Sequence, residues 1–169
     1  MGPGLLVKAL SGRHISLMIF GFSQIAIDIE PLVRIIRGDT FVHGFTHAYL
    51  GATLVGLVSV VIGRPCCAWL LNRWIEGRQS HLEPRGSSSI SVSSAISGAL
   101  VGTYSHVFLD SIMHSDMRPF APWSDANAVL HVISVGRLHN LCMLSGVLGA
   151  LMVLAVFLVR RRGEVDSQR

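Results

Sequence analysis

Charge is what this sequence has least of. Acidic and basic residues make up only 14% of it and hydrophobic residues 50%, whereas an ordinary soluble domain carries about 25% charged residues. The shortage is uneven. Four stretches, residues 15–29, 47–62, 90–113 and 140–159, hold almost no charge, and the charged residues gather between them. Cysteine is scarce too. Cys66, Cys67 and Cys142 are the only three, and they imply no disulfide framework of the kind that small secreted scaffolds depend on. No small-x-small cleavage pattern follows the order Lys8, Arg13, Ile15–Ile27, so this region reads as an uncleaved first span and not as a removed leader. Internal repeats are missing beyond a loose likeness between the two histidine-bearing segments, which weighs against the inverted-repeat transporters.

What is present points to lipid. Asn140–Val159 supplies the ~20 apolar residues that cross a bilayer comfortably. Arg160, Arg161 and Arg162 follow it directly, a pattern that argues against a soluble helical bundle. The expected fold is all-α: an integral membrane bundle of about four transmembrane helices in a single domain, residues 1–162, with a polar tail at 163–169. In the connection 63–89, Trp69, Leu70, Leu71, Trp74 and Ile75 stand beside Arg73 and Arg78, which suggests a short interfacial helix. A polar loop from Gly77 to Ser89 is expected after it. The net charge of +4 needs no nucleic acid to explain it. With both termini inside, ten basic residues fall on the inner side and four (Arg34, Arg37, Arg118 and Arg137) on the outer side, which is the positive-inside bias.

The same topology gathers the metal-binding residue types at the outer face. Asp28 and Glu30 end the first stretch, His43 and His47 open the second, and His106, Asp110 and His114 close the third. These side chains bind zinc, manganese or iron. His43 and His47, four apart, would share one face of a helix. His106, Asp110 and His114 form an i, i+4, i+8 stripe, and an ionised carboxylate near the end of an apolar helix is costly unless paired or metal-bound. Asp28 and Glu30 could supply one further ligand and one general base. His139 could complete the site or support it from behind. Arg118 and Trp123, in a long outer loop with Pro119 and Pro122, are candidates to hold an anionic or amphipathic substrate.

Asp28-x-Glu30, His43-Gly-Phe-Thr-His47, and Ser105-His106-Val-Phe-Leu-Asp110-x3-His114 followed by Pro119-Phe-Ala-Pro-Trp123 resemble the motifs of the inner-membrane-associated metal-dependent hydrolases of bacteria and archaea, the family with LexA-regulated members. The likeness runs over about residues 25–125. Glu30 stands where that family more often has Asp, and Ala48 where it has Ser. The resemblance implies a multi-pass protein of the inner (cytoplasmic) membrane and a hydrolase. Combined with the residues, the expectation is a divalent metal ion, zinc before manganese or iron, held by His43, His47, His106, Asp110 and His114. Asp28 or Glu30 serves as general base. The location suits a lipid or an amphipathic ester or phosphoester, with the bilayer as partner. Two other readings are a haem held by histidines on facing helices, such as His47 with His106 or His139, and a non-enzymatic scaffold or transporter with a structural His/Asp cluster.

Overall fold

Serines punctuate the helices. Ser16 caps α2 (Leu17–Ile27) by accepting from the Ile19 amide at 3.4 Å, and Ser91 caps α6 (Val92–Met113) by accepting from the Ser94 amide at 3.3 Å. Each satisfies an amide that the first helical turn leaves without a partner. The computed structural model describes residues 2–78 and 89–166, and among these the regular elements are all helical. Before α2 lies α1 (Gly2–Ser11). After it come α3 (Ile29–Arg37), a one-turn 3-10 helix (Phe45–His47), α4 (Tyr49–Val58), α5 (Arg64–Arg78), α6 and α7 (Val135–Asp166). A π-helical turn, Ser59–Gly63, joins α4 to α5 without a break. The Ser59 hydroxyl donates to the Val55 carbonyl at 2.7 Å, which competes with the regular helical ladder at that point.

Among the described residues, three helices are long and apolar enough to cross a membrane: Tyr49–Ile75, Val92–Met113 and Val135–Val159. The stretch 15–29 is not a fourth of the same kind. α2 has 11 residues, about 16 Å at 1.5 Å per residue, roughly half of the ~30 Å hydrocarbon layer. The chain turns at Asp28 and continues as α3, whose Ile29, Leu32, Ile35 and Ile36 are exposed. The interfacial helix expected around Trp69–Ile75 is instead the lower half of the α4–α5 rod. Of the expected polar loop at 77–89, residues 79–88 lie outside the described residues. The helix α7 runs on to Asp166, into the stretch expected as a tail. The helix α1, which lies outside the four apolar stretches, packs along α7.

Two small cores hold the bundle. Ile19, Cys67, Ala95 and Ala99 form one, and Ile27, Ala52, Val107 and Met117 form the other. The second lies directly beneath the residues that follow or flank it: Asp28, His106 and the 115–134 connection. That connection is docked and not loose. Asn127 Nδ2 donates to the Ser111 carbonyl at 2.8 Å, and the His131 amide to the Ile112 carbonyl at 3.0 Å. The Tyr49 amide, at the start of α4, donates to the Pro119 carbonyl at 2.8 Å. The ends of α2 and α6, the start of α4 and the 115–134 connection therefore meet at one end of the bundle.

Close packing of α2 against α6 depends on Gly98. A Cβ there would lie 2.5 Å from the Ser16 carbonyl oxygen, a backbone atom that cannot swing aside. Gly98→Val is expected to lower the melting temperature of the detergent-solubilised protein, at a cost of about 1–3 kcal/mol for overpacking. Gly56→Ala, whose new methyl would sit 3.5 Å from Thr103 Oγ1, is expected to leave it unchanged.

Candidate metal centre

Four side chains meet at that end of the bundle. Asp28 caps the junction of α2 and α3, His47 ends the 3-10 turn, and His106 and Asp110 lie one turn apart on α6. His106 Nε2 is 3.0 Å from Asp28 Oδ1 and 3.1 Å from Asp110 Oδ2. His47 Nε2 is 3.4 Å from Asp110 Oδ2 and 3.7 Å from Asp28 Oδ1. His47 is 1% exposed, and its Nε2 has no hydrogen-bond partner.

The other ring nitrogens show which way the imidazoles are set. Gln24 Nε2 donates to the Gly102 carbonyl at 2.6 Å, which turns Gln24 Oε1 toward His106 Nδ1 at 3.1 Å. The Thr46 hydroxyl donates to the Ile27 carbonyl at 3.1 Å and lies 3.2 Å from His47 Nδ1. Both Nδ1 atoms therefore face acceptors and carry the proton in the neutral ring. The Nε2 lone pairs then point at two carboxylates, an arrangement that is repulsive unless a cation or a second ring proton lies between. Histidine ligands of metals are oriented in this way, with the far nitrogen bonded to an acceptor. The separations fit as well. Ligands ~2.0–2.1 Å from one ion stand about 3.4 Å apart in a tetrahedron, within the observed range of 3.0–3.7 Å. The residues present fit a divalent ion.

A second group adjoins the first. Ligand atoms of His43, Asp110 and His114 lie within 4.8 Å of one another, and the His43 and His114 ring centroids are 4.3 Å apart. His43 and His47 are neighbours, with centroids 5.0 Å apart, but not because they share a helix. His43 lies before the 3-10 turn, in irregular chain, and His47 ends that turn. The i, i+8 stripe also breaks at its last member. His114 leaves α6 in an extended conformation and turns toward His43.

Glu30 departs from the expected role. One of its oxygens accepts from the Phe45 amide at 3.1 Å and pairs with Arg34 at 2.7 Å, and the other accepts from the Thr46 amide at 2.6 Å. Both oxygens are thereby engaged in fastening the His47 turn to α3. Gly44 leaves room for this, because a Cβ there would collide with Glu30 Oε1. Asp116 and Gln24 are the partners that sequence reasoning missed. Asp116 Oδ1 lies 2.8 Å from His43 Nδ1, and its Oδ2 accepts from the Val42 and His43 amides at 2.9 and 3.0 Å. The only available signals were an acid two residues past His114 and an amide within an apolar stretch. His139 is apart from both groups and donates to the Val135 carbonyl at 2.9 Å. Arg118 pairs with Asp125 at 3.1 Å, and Trp123 is exposed.

Residues 15–169 match the domain of unknown function DUF4184. The chain belongs to that family. No curated protein and no solved structure matches it. The matched region contains every residue of both groups and leaves α1 outside it.

The site is open on one side. A cleft of about 780 Å³ is bounded by Asp28, His106, Asp110 and His114 on one wall and by Leu32 and Ile35 of α3 on the other. Next to it, sharing His43 and Asp116, is a cleft of about 520 Å³ that includes Arg34, Arg118, Phe41 and Phe45.

Electrostatics follow from these contacts. Burial works to raise the Asp28 carboxyl, but the adjacent His106 and His47 imidazoles hold it well below the usual carboxylate range. Burial likewise opposes charge on His47, and the Asp110 and Asp28 carboxylates outweigh it and raise that imidazole. Burial and the neighbouring His43 lower His114. Asp116 is drawn down to about 2, against its burial, by the backbone amide and the ring of His43. Glu30 is lowered, against burial, by the amide of Thr46. Since Asp116 and Glu30 have folded values below their ordinary 3.8 and 4.5, they stabilise the fold at neutral pH. That contribution is lost as pH falls below ~4.5 toward 2. Thermal unfolding in detergent is expected to show a loss of stability from pH 7 to pH 3 that is shallower in Asp116→Asn and in Glu30→Gln. An unchanged slope in both variants would rule out these contacts as its source.

Proposed function

We propose that this protein is a membrane-bound, metal-dependent hydrolase with its site at the outer face of the inner membrane, which it crosses several times. It acts on a lipid or an amphipathic ester or phosphoester. The observation that carries this reading is the His47 Nε2 atom, buried, without a hydrogen bond, and aimed between two carboxylates. A purely structural network would leave that atom unsatisfied, at a cost of about 1–3 kcal/mol. A haem would need an open disc between its axial histidines, and Asp28 and Asp110 stand in that space beside His47 and His106.

In this reading His47, His106 and Asp110, the more deeply placed groups, are the ligands, and the ion is zinc or else manganese or iron. Two histidines and a carboxylate with one open position is a donor set of hydrolytic zinc sites. A divalent ion there lowers the pKa of coordinated water and polarises the bond to be cleaved. Asp28 has a side chain 55% exposed and borders the 780 Å³ cleft. In this reading it would be the group that accepts the proton of the attacking water. Thr46 and Gln24 hold the two imidazoles in the ligating tautomer. Leu32 and Ile35 present an apolar wall to the same cleft, and Arg34 and Arg118 give its neighbour a cationic rim. Together they suit a substrate with an apolar tail and an anionic head.

Elemental mass spectrometry of detergent-purified protein is expected to find stoichiometric divalent metal, lost in an Asp110→Ala, His106→Ala double variant. Hydrolysis of ester or phosphoester lipids should be lost with it. If neither protein holds metal after chelator-free purification and metal addition, the reading is wrong. Because protons compete for the raised His47 nitrogen, metal affinity should weaken as pH falls from 8 to 6. Isothermal titration at the two values checks the sign.

A further inference from the structure

Asp110 adjoins both sets of imidazoles: it lies 3.4 Å from His47 Nε2 and 3.1 Å from His106 Nε2, and it forms a group with His43 and His114. Its Oδ2 is directed at His47 and His106, and a carboxylate has a second oxygen with which to reach another ion. His43 and His114 stand close by. We propose that these two histidines and Asp110 hold a second divalent cation, so that Asp110 bridges a pair of ions. This rests on the reading that a first ion lies among His47, His106 and Asp110, and it narrows the substrate from esters in general to phosphoesters.

The support is in how the two rings are held. His43 is fixed from behind. Asp116 takes its Nδ1 at 2.8 Å and is itself clamped by the Val42 and His43 amides. That leaves His43 Nε2 without a hydrogen bond among the described residues, in the carboxylate-backed arrangement of a metal-ligating histidine. His114 makes no side-chain hydrogen bond among the described residues, yet its ring lies 4.3 Å from that of His43 at a tilt of 32°. Two imidazoles so close, with a carboxylate beside them, bring together the donors that borderline divalent ions prefer.

Distance is the strictest test. The ligand atoms lie within 4.8 Å of one another, whereas two ligands on opposite sides of one ion are about 4.2 Å apart. His114, exposed at the edge of the cleft, can turn its ring to reach that separation. Charge agrees too. Asp28, Asp110 and Asp116 bring three carboxylates into contact with the clustered imidazoles. Ion pairs of this kind, ~3.5–4 Å apart, are characteristic of enzymes that displace oxygen at phosphorus, where both the attacking and leaving oxygens need stabilising.

Manganese is the probe, because it reports its own neighbours. Detergent-purified protein, stripped and reloaded with Mn(II), is expected to hold two ions per chain and to give the electron paramagnetic resonance spectrum of an exchange-coupled pair. His114→Ala alters an exposed side chain and is expected to keep the wild-type melting temperature, hold one ion and give the hyperfine pattern of an isolated Mn(II). His43→Ala is expected to hold one uncoupled ion likewise, with a lower melting temperature because Asp116 loses its partner. One uncoupled ion per chain in the wild type, unchanged in His114→Ala, would overturn the second site and leave the single-ion reading standing. No bound manganese in the wild type would overturn both.

Discussion

Two carboxylates set against two buried imidazoles, at the end of an apolar bundle, are the constraint around which the rest of the protein is arranged. Asp28 and Asp110 share His106 at 3.0 and 3.1 Å and His47 at 3.7 and 3.4 Å. Burying ionised groups costs several kcal/mol each unless attraction and hydrogen bonding offset it. The protein compensates with surrounding polar contacts. Gln24, Thr46, Asp116 and Glu30, none of which lies in either group of candidate ligands, orient a ring or fasten the segment that bears one. The proposed divalent ion would complete that compensation by satisfying His47 Nε2, a buried nitrogen without a hydrogen bond among the described residues.

The helices serve this end of the molecule. α2 is too short to cross a membrane by itself, and its function in the fold is to carry Gln24 and Asp28 up to α6. Gly98 permits the approach by removing a side chain that would strike the Ser16 carbonyl. The second core, with Ile27, Ala52, Val107 and Met117, supports the site from below. The 115–134 connection then closes over it through bonds to the ends of α4 and α6. Function and architecture meet at α3. Its first turn supplies Glu30 to hold the His47 turn, and its outward face offers Leu32 and Ile35 to the cleft.

Much of this was legible in the residues. A run as apolar as 140–159 specifies a membrane-length helix by itself, and 90–113 became α6 almost residue for residue. The convergence of Asp28, His47, His106 and Asp110 followed from alternation of direction between apolar stretches, which does not require each stretch to span fully. What failed were the local inferences. Apolar residues continue past Asp28, so composition could not reveal that the chain turns there. His43 and His47 came together through a 3-10 turn and not through a helical face, because the backbone at Gly44 is not helical. Glu30 and Asp116 exchanged their expected importance. An acid's role here depends on which backbone amides a loop presents to it, and residue spacing does not encode that.

The central claim is that His47, His106 and Asp110 ligate a divalent ion, and X-ray absorption at the edge of the metal bound to the wild-type protein tests it most directly. The account predicts nitrogen and oxygen scatterers at ~2.0–2.1 Å, with the multiple-scattering signature of at least two imidazoles. That signature should diminish in His47→Ala. Sulfur scattering at ~2.3 Å, or a metal surrounded by oxygen with no imidazole signature, would contradict it.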